Sequence, residues 1–414
     1  MLRTVFNYLS GQFGIFAINA VVGLIIIRLL PISEYSTVVI ALFLQVATTV
    51  LTDLGTSHVI LSKLSNKVLT QMDKESLIKT AISQKDAFSI FAIPFVFLIS
   101  WVLLRESPVE LIPLACIVLL SVMTGWIQSS VNIRKAKLNA DHNDRLLFRL
   151  GVIEGIARIA LLPFCIFFPF AIAVIGINLV AAGLTLFSCR WISNVNLYGS
   201  PQSNDKLRSA LRAGTIPLVP GAIYALFQGQ IGVLLLGYYG QTQLVAEAGA
   251  LGRLAQVINF LLVLNPFWVQ PYFSRLQTNE ALLIAIAKLM GILTLLTCFI
   301  WASVVWVPEW WLMILGDQYT HTSSALRIAM AGVLIHAIFA VSYTVAIAIR
   351  LQSGQHWSVT VSILFQLFFL LATDVNSVED ALMLQLLPAL GGLIVQWVLI
   401  SHHLMTCRFV AKRD

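Results

Sequence analysis

The chain has 414 residues, of which 58% are hydrophobic and only 11% charged, against roughly 25% charged in an ordinary soluble domain. That composition excludes a water-soluble globular fold and defines an integral membrane protein. The net charge of +7 does not point to nucleic acid, because the cations fall in alternate loops between apolar stretches, as membrane topology requires.

A membrane span needs about 20 mostly apolar residues. In chain order, stretches of that kind are centred near Ile18, Phe43, Phe95, Leu119, Ala160, Val180, Leu234, Ile258, Leu295, Val333, Phe365 and Leu390. The first is expected to stay in place, since it ends in Arg28 and a proline rather than a small-residue cleavage site. Between the second and third stretches lie Lys63, Lys67, Lys74, Lys79 and Lys85; between the fourth and fifth lie Arg134, Lys135, Lys137, Arg145 and Arg149. Arg190, Lys206, Arg208, Arg212, Arg275, Lys288, Arg350, Arg408, Lys412 and Arg413 continue the pattern on the same side. The opposite loops carry Glu34, Glu106, Glu110, Glu309, Asp317, Asp374, Glu379 and Asp380. By the positive-inside rule both termini are expected to be cytoplasmic, in a multi-pass protein of a bacterial inner membrane.

The polar segment "NVNLYGSPQSND" at 194 to 205 divides the chain into halves of six spans. The expected architecture is an all-α membrane protein of about twelve transmembrane helices, in two six-helix lobes around a central cavity: 1–195, a linker at 196–207, and 208–414. Two such lobes suit a transporter with a substrate site between repeats. The loops are short, and no phosphate-binding loop, zinc motif or nucleophile elbow is present. The five cysteines have no metal-ligand or redox spacing. The chain is therefore not expected to be an enzyme or to hold a metal or cofactor. Coupling to an H+ or Na+ gradient is the energetic route left open.

Ionisable residues inside spans are costly and each marks a functional hypothesis. Asp53 in "TDLGTSH" ends the second span, as a helix stop or a coupling carboxylate. In "VIEGIARIALLPF" the spacing puts Glu154 and Arg158 on one face, about 12 and 18 Å deep, as a self-neutralised pair or a coupling latch. Arg253 in "AEAGALGRLAQ" has no carboxylate three or four residues away and is flanked by small residues, which suits an anionic ligand such as a phosphate. Glu247 lies six residues earlier. Arg28 and Arg327 fall near the outer mouth, where snorkelling to head groups competes with a cavity role. His336, near the middle of the tenth span, is structural or a titrating group. Prolines 94, 163, 217, 220, 266, 271 and 388 lie in or beside spans, where kinks permit bending.

Three blocks carry a resemblance. "GQFGIFAINAVVGLIIIRLLPISEYSTVVIALFLQVATTVLTDLG", with its R-L-L-P, E-Y and D-L-G steps, resembles the start of the polysaccharide (O-antigen-type) flippases of the multidrug and toxin extrusion-like superfamily. "QIGVLLLGYYGQTQLVAEAGALGRLAQV" and "LGDQYTHTSSALRIAMAG" are similar to that family's seventh and eighth spans and to its entry into the tenth. The resemblance implies a transporter that flips an undecaprenyl-pyrophosphate-linked oligosaccharide to the periplasmic leaflet, for surface polysaccharide synthesis. It would work beside a polysaccharide polymerase and a chain-length regulator. Arg253, Arg158, Arg28 and Arg327 would then meet substrate, and Glu154, Glu247, Asp53 and His336 would couple or gate. One departure is Gly232, where many members carry an acid. A cation-coupled drug or metabolite antiporter, and a membrane polysaccharide polymerase or ligase, are the alternative readings.

Overall fold

The computed structural model describes residues 2–64, 71–105, 110–141, 143–193, 205–258, 269–273, 276, 278–349, 351 and 354–406. Most of the linker expected at 196–207 lies outside them, as does Pro266. Among the described residues, ten helical segments are long and apolar enough to cross a membrane. The two remaining expected spans, near Ile18 and Ile258, are helical as well: α1 is Leu2–Leu29 and α12 is Thr242–Ile258. The seventh span differs from expectation. Its membrane-length segment runs from Leu207 to Gln228, and the chain turns at Gly229–Gln230 before the short α11, Ile231–Tyr238. Gly and Gln at that turn interrupt an apolar run that hydropathy alone reads as continuous.

By contact the chain forms two compact units: one of Val21–Gln230 with Gly237–Ala246, the other of Met1–Ala20, Ile231–Leu236 and Glu247–Asp414. We call them the N-terminal and C-terminal units.

The N-terminal unit contains α2 (Ile32–Asp53), α3 (Thr56–Leu64), α4 (Gln71–Leu104), α5 (Leu111–Ala140), α6 (Asp144–Leu161), α7 (Pro163–Phe167), α8 (Ala171–Ser193), α9 (Asp205–Thr215) and α10 (Val219–Gln228). Helix α5 is its axis, packing on α2, α3, α4, α6 and α8. It passes α2 at backbone distance, since a Cβ on Gly125 would overlap the Gln45 carbonyl and the Thr48 side chain. Thr49 Oγ1 donates to the Gly125 carbonyl at 3.1 Å across the same seam. Small residues allow this approach, and dispersion between close backbones replaces the hydrophobic drive that lipid does not supply. At the other end of α2, Glu34 accepts a hydrogen bond from the Ala171 N–H at 2.7 Å. A carboxylate from one helix thus caps the orphan N–H groups of another.

Helix α2 stops in the D-L-G step. Leu54 is left-handed at φ 44°, followed by Gly55 at φ 82°, a conformation costing a leucine about 1–2 kcal/mol. Asp53 holds the turn, accepting from the Ser57 N–H at 3.1 Å and the Ser57 hydroxyl at 2.7 Å. Beyond the turn, Val59, Ile60 and Leu64 of α3 pack with Leu77, Ile78 and Ala81 of α4, Ile133 of α5 and Leu211 of α9. That cluster buries the apolar face of α9 and leaves Arg208 and Arg212 exposed.

The C-terminal unit contains most of α12, then α13 (Gln270–Phe273), α14 (Asn279–Trp306), α15 (Pro308–Leu315), α16 (Ser323–Ala348), α17 (Gln355–Ala372) and α18 (Val378–Thr406). Leu282, Ile286 and Met290 of α14 pack on Val341 and Val345 of α16 and Ile400 of α18. Helix α18 opens with a capping box: the Asp380 N–H donates to Ser377 Oγ at 3.1 Å, and the Ser377 N–H donates to Asp380 Oδ2 at 3.1 Å. Pro388 sits inside α18 and cannot donate to the Leu384 carbonyl four residues before it. Gln366 Nε2 of α17 donates to that carbonyl instead, at 3.0 Å. Ser362 Oγ donates to the Pro388 carbonyl at 2.8 Å, and Gln355 and Gln396 bond reciprocally at 3.3 and 2.6 Å. Neutral side chains therefore join α17 to α18.

Candidate functional site

The charges expected inside spans divide between the two units, and each unit builds its own polar cluster. In the N-terminal unit, Glu154 Oε1 accepts from Arg158 Nη2 at 2.8 Å, as the spacing on α6 requires. Its other oxygen, Oε2, is 3.6 Å from Lys135 Nζ of α5. The pair is therefore a triad with two cations on one carboxylate, and its formal charge is +1 rather than zero. This corrects the reading of a self-neutralised pair. Glu154 is 15% exposed, and Lys135 and Arg158 are each 26% exposed. On α5, Gln128 donates to Asn132 at 3.4 Å, and both are half-buried. Gln128, Asn132 and Lys135, spaced by four and three, form one polar helix face.

Lys135 escaped sequence reasoning because its neighbours Arg134 and Lys137 are also basic and the run reads as a loop. It lies in the last two turns of α5, and α6, which begins at Asp144, folds back along it. An antiparallel hairpin of this kind brings residues before the turn against residues after it. Lys85, Arg134 and Lys137, all read as loop residues, are likewise helical, and only 1%, 5% and 7% exposed. Helices α4 and α5 outrun the bilayer thickness, so their basic ends stay inside the bundle.

The C-terminal unit pairs Glu247 with a residue 74 positions away. His321 Nε2 lies 2.8 Å from Glu247 Oε1, with the carboxylate side chain 6% exposed and the imidazole 54% exposed. Nothing local to either residue announces the contact. Arg253 is half-buried on α12 and takes part in an interaction of its own. The absence of a carboxylate one turn away therefore does not leave it alone, which corrects the inference drawn from spacing. Arg28 is exposed and also engaged, and Arg327 is exposed on α16. His336 is exposed on α16 beside Phe339, ring centres 5.9 Å apart. Asp53, 8% exposed, spends both oxygens on Ser57, the geometry of a cap. At Gly232 a Cβ would overlap the Ala381 carbonyl of α18. An acidic side chain has no room there, so the departure noted in the sequence has a packing reason. Among the described residues no group of three or more His, Cys, Asp or Glu could hold a metal.

Solved structures share this fold. Lipid II flippase MurJ in an inward closed conformation aligns at TM-score 0.67 and 13% identity, over 94% of this chain and 87% of that one. An inward-facing multidrug resistance MATE family transporter of the MOP superfamily aligns at 0.63 and 12%, over 94% and 96%. A MOP superfamily transporter from Pyrococcus furiosus, described as having a binding pocket of reverse polarity, aligns at 0.51 and 11%, over 98% and 96%. No family profile and no curated protein sequence matches the chain. The fold is thus the one on which MOP-superfamily transporters and a lipid flippase are built, in a multi-pass membrane protein.

Proposed function

We propose that the chain is a transporter of a bacterial inner membrane that flips an undecaprenyl-pyrophosphate-linked oligosaccharide between leaflets by alternating access. The observation that carries this reading is the surplus cation of the Lys135–Glu154–Arg158 triad within the spans. A diphosphate competes with Glu154 for two cations already held side by side, and guanidinium binds phosphate oxygens bidentately. Protonating Glu154 frees both cations at once, which makes it the residue to couple an H+ gradient to substrate capture. Arg253 is the second cation to test. The fold held in common with a lipid II flippase supports a lipid-linked cargo.

The test is leaflet transfer of a fluorescent undecaprenyl-pyrophosphate oligosaccharide in proteoliposomes. A K135Q/R158Q variant that remains folded is expected to lose at least about tenfold in rate, the loss of one or two charge-assisted hydrogen bonds. Full retention of transfer sinks the assignment. The fold held in common with a multidrug MATE transporter favours a second reading, cation-coupled drug efflux. Ethidium extrusion driven by a pH or Na+ gradient in the same vesicles, without lipid transfer, would establish it.

A further inference from the structure

In the C-terminal unit the side-chain amides of Gln355 and Gln366 reach from α17 to α18 and hold the two helices together. The Gln128–Asn132 pair of α5 joins no helices: Gln128 Nε2 donates to Asn132 Oδ1 at 3.4 Å, one turn along the same helix. That bond leaves Gln128 Oε1 as an acceptor and Asn132 Nδ2 as a donor. Neither takes a further hydrogen bond among the described residues. Neither atom is sealed in the interior, and both residues are half-buried. Gln128 lies twelve residues before the end of α5 at Ala140, about 18 Å at 1.5 Å per residue, which is membrane depth. Amides at that depth are costly unless they meet water, a neighbouring helix or a ligand.

Their place on α5 ties the amides to the triad. Asn132 and Gln128 precede Lys135 by three and seven residues, about 5 and 10 Å along one helix face. On the antiparallel α6, Arg158 lies four residues past Glu154, about 6 Å in the same direction. Cations and amides thus share one strip, charged at the Lys135–Glu154 contact and neutral from Asn132 to Gln128. The charged end suits a phosphate. A neutral acceptor beside a neutral donor suits a sugar ring, whose hydroxyls both donate and accept.

We infer that Gln128 and Asn132 recognise the sugar residue bonded to the diphosphate of the cargo. One sugar hydroxyl donates to Gln128 Oε1, and Asn132 Nδ2 donates to a neighbouring sugar oxygen. The inference rests on reading the triad as the diphosphate site, and it gives the amides the choice of cargo. A bare undecaprenyl diphosphate leaves both amide atoms unmatched, and a site built to hydrogen-bond a hydroxyl discriminates against a ligand that lacks it.

The test is equilibrium binding to the whole protein in nanodiscs, with undecaprenyl diphosphate carrying one glucose or no sugar as the two probes. Wild type is expected to bind the glucosyl lipid about twentyfold more tightly, the effect of two neutral hydrogen bonds. Q128L and N132L should each cut that preference about fivefold and leave affinity for the bare lipid unchanged. Equal wild-type affinity for the two probes overturns the inference, as does a preference that survives both substitutions. An equal loss of both probes in the variants also overturns it, since the amides then serve the fold. Should one variant fail to fold, the other decides. K135Q/R158Q separates this result from the reading beneath it: both probes should weaken together. If neither weakens, the diphosphate assignment itself falls, whereas failure of the amide variants alone leaves that assignment standing.

Discussion

The two units hold their helices together with different chemistry. In the C-terminal unit the seam between α17 and α18 is neutral: Gln366 satisfies the carbonyl that Pro388 abandons, and Gln355 and Gln396 bond each other. In the N-terminal unit the seams of α5 with α4 and α6 are lined with charge, from Lys85 and Arg134 to the Lys135–Glu154–Arg158 triad. Neutral donors bind helices in lipid cheaply, at about 0.6 kcal/mol per contact on average. Charges at such depth cost several times more. The contrast teaches where to look for function: a bundle that can be glued with amides and hydroxyls has no structural need for four cations, Lys85, Arg134, Lys135 and Arg158, around the two carboxylates of Asp86 and Glu154.

Three sets of substitutions sharpen this comparison. The largest effect is expected from G232D, which forces a side chain into the Ala381 carbonyl of α18. Overpacking against backbone costs about 1–3 kcal/mol or more, and a buried carboxylate adds to that. Folded protein on size-exclusion chromatography should fall sharply, whereas wild-type yield would show that α18 can retreat. Next comes an asymmetry within the triad. E154Q strands two cations and should cost about 3 kcal/mol, while R158Q and K135Q each leave Glu154 a partner and should cost about 1 kcal/mol. Equal costs in thermal or denaturant unfolding would mean that the three do not act as one group. The smallest effect belongs to the neutral seam. Q366L orphans the Leu384 carbonyl and should cost about 1 kcal/mol, and P388A in that background should restore the loss by supplying a backbone N–H. A P388A change that rescues nothing would show that the kink itself is needed.

Much of this was legible in the sequence for a physical reason. Lipid demands long apolar helices, so composition and hydropathy give the spans, and i, i+4 geometry gives the Glu154–Arg158 contact. The third member, Lys135, was hidden because hydropathy cannot tell a loop from a helix that runs past the bilayer edge. The same ambiguity concealed Lys85 and Arg134. Glu247 and His321 are joined by tertiary structure alone, and a partner for Arg253 could not be inferred from residues one turn away. Gly232 read as a missing acid, yet its neighbour Ala381 lies 149 positions later. Local patterns specify helices, while the partners of charged groups are set by which helices meet.

The backbone contact of α2 and α5 at Gly125 has a consequence for the order in which the molecule loosens. Amide hydrogens exchange first where packing is thin and last where opening requires neighbouring elements to part together. With the Gln45 carbonyl occupying the space a side chain at 125 would take, neither helix can fray there without the other. The amides around Gln45–Thr49 and Gly125–Ser129 should therefore be the slowest of the N-terminal unit, a still point about which its more loosely packed helices breathe.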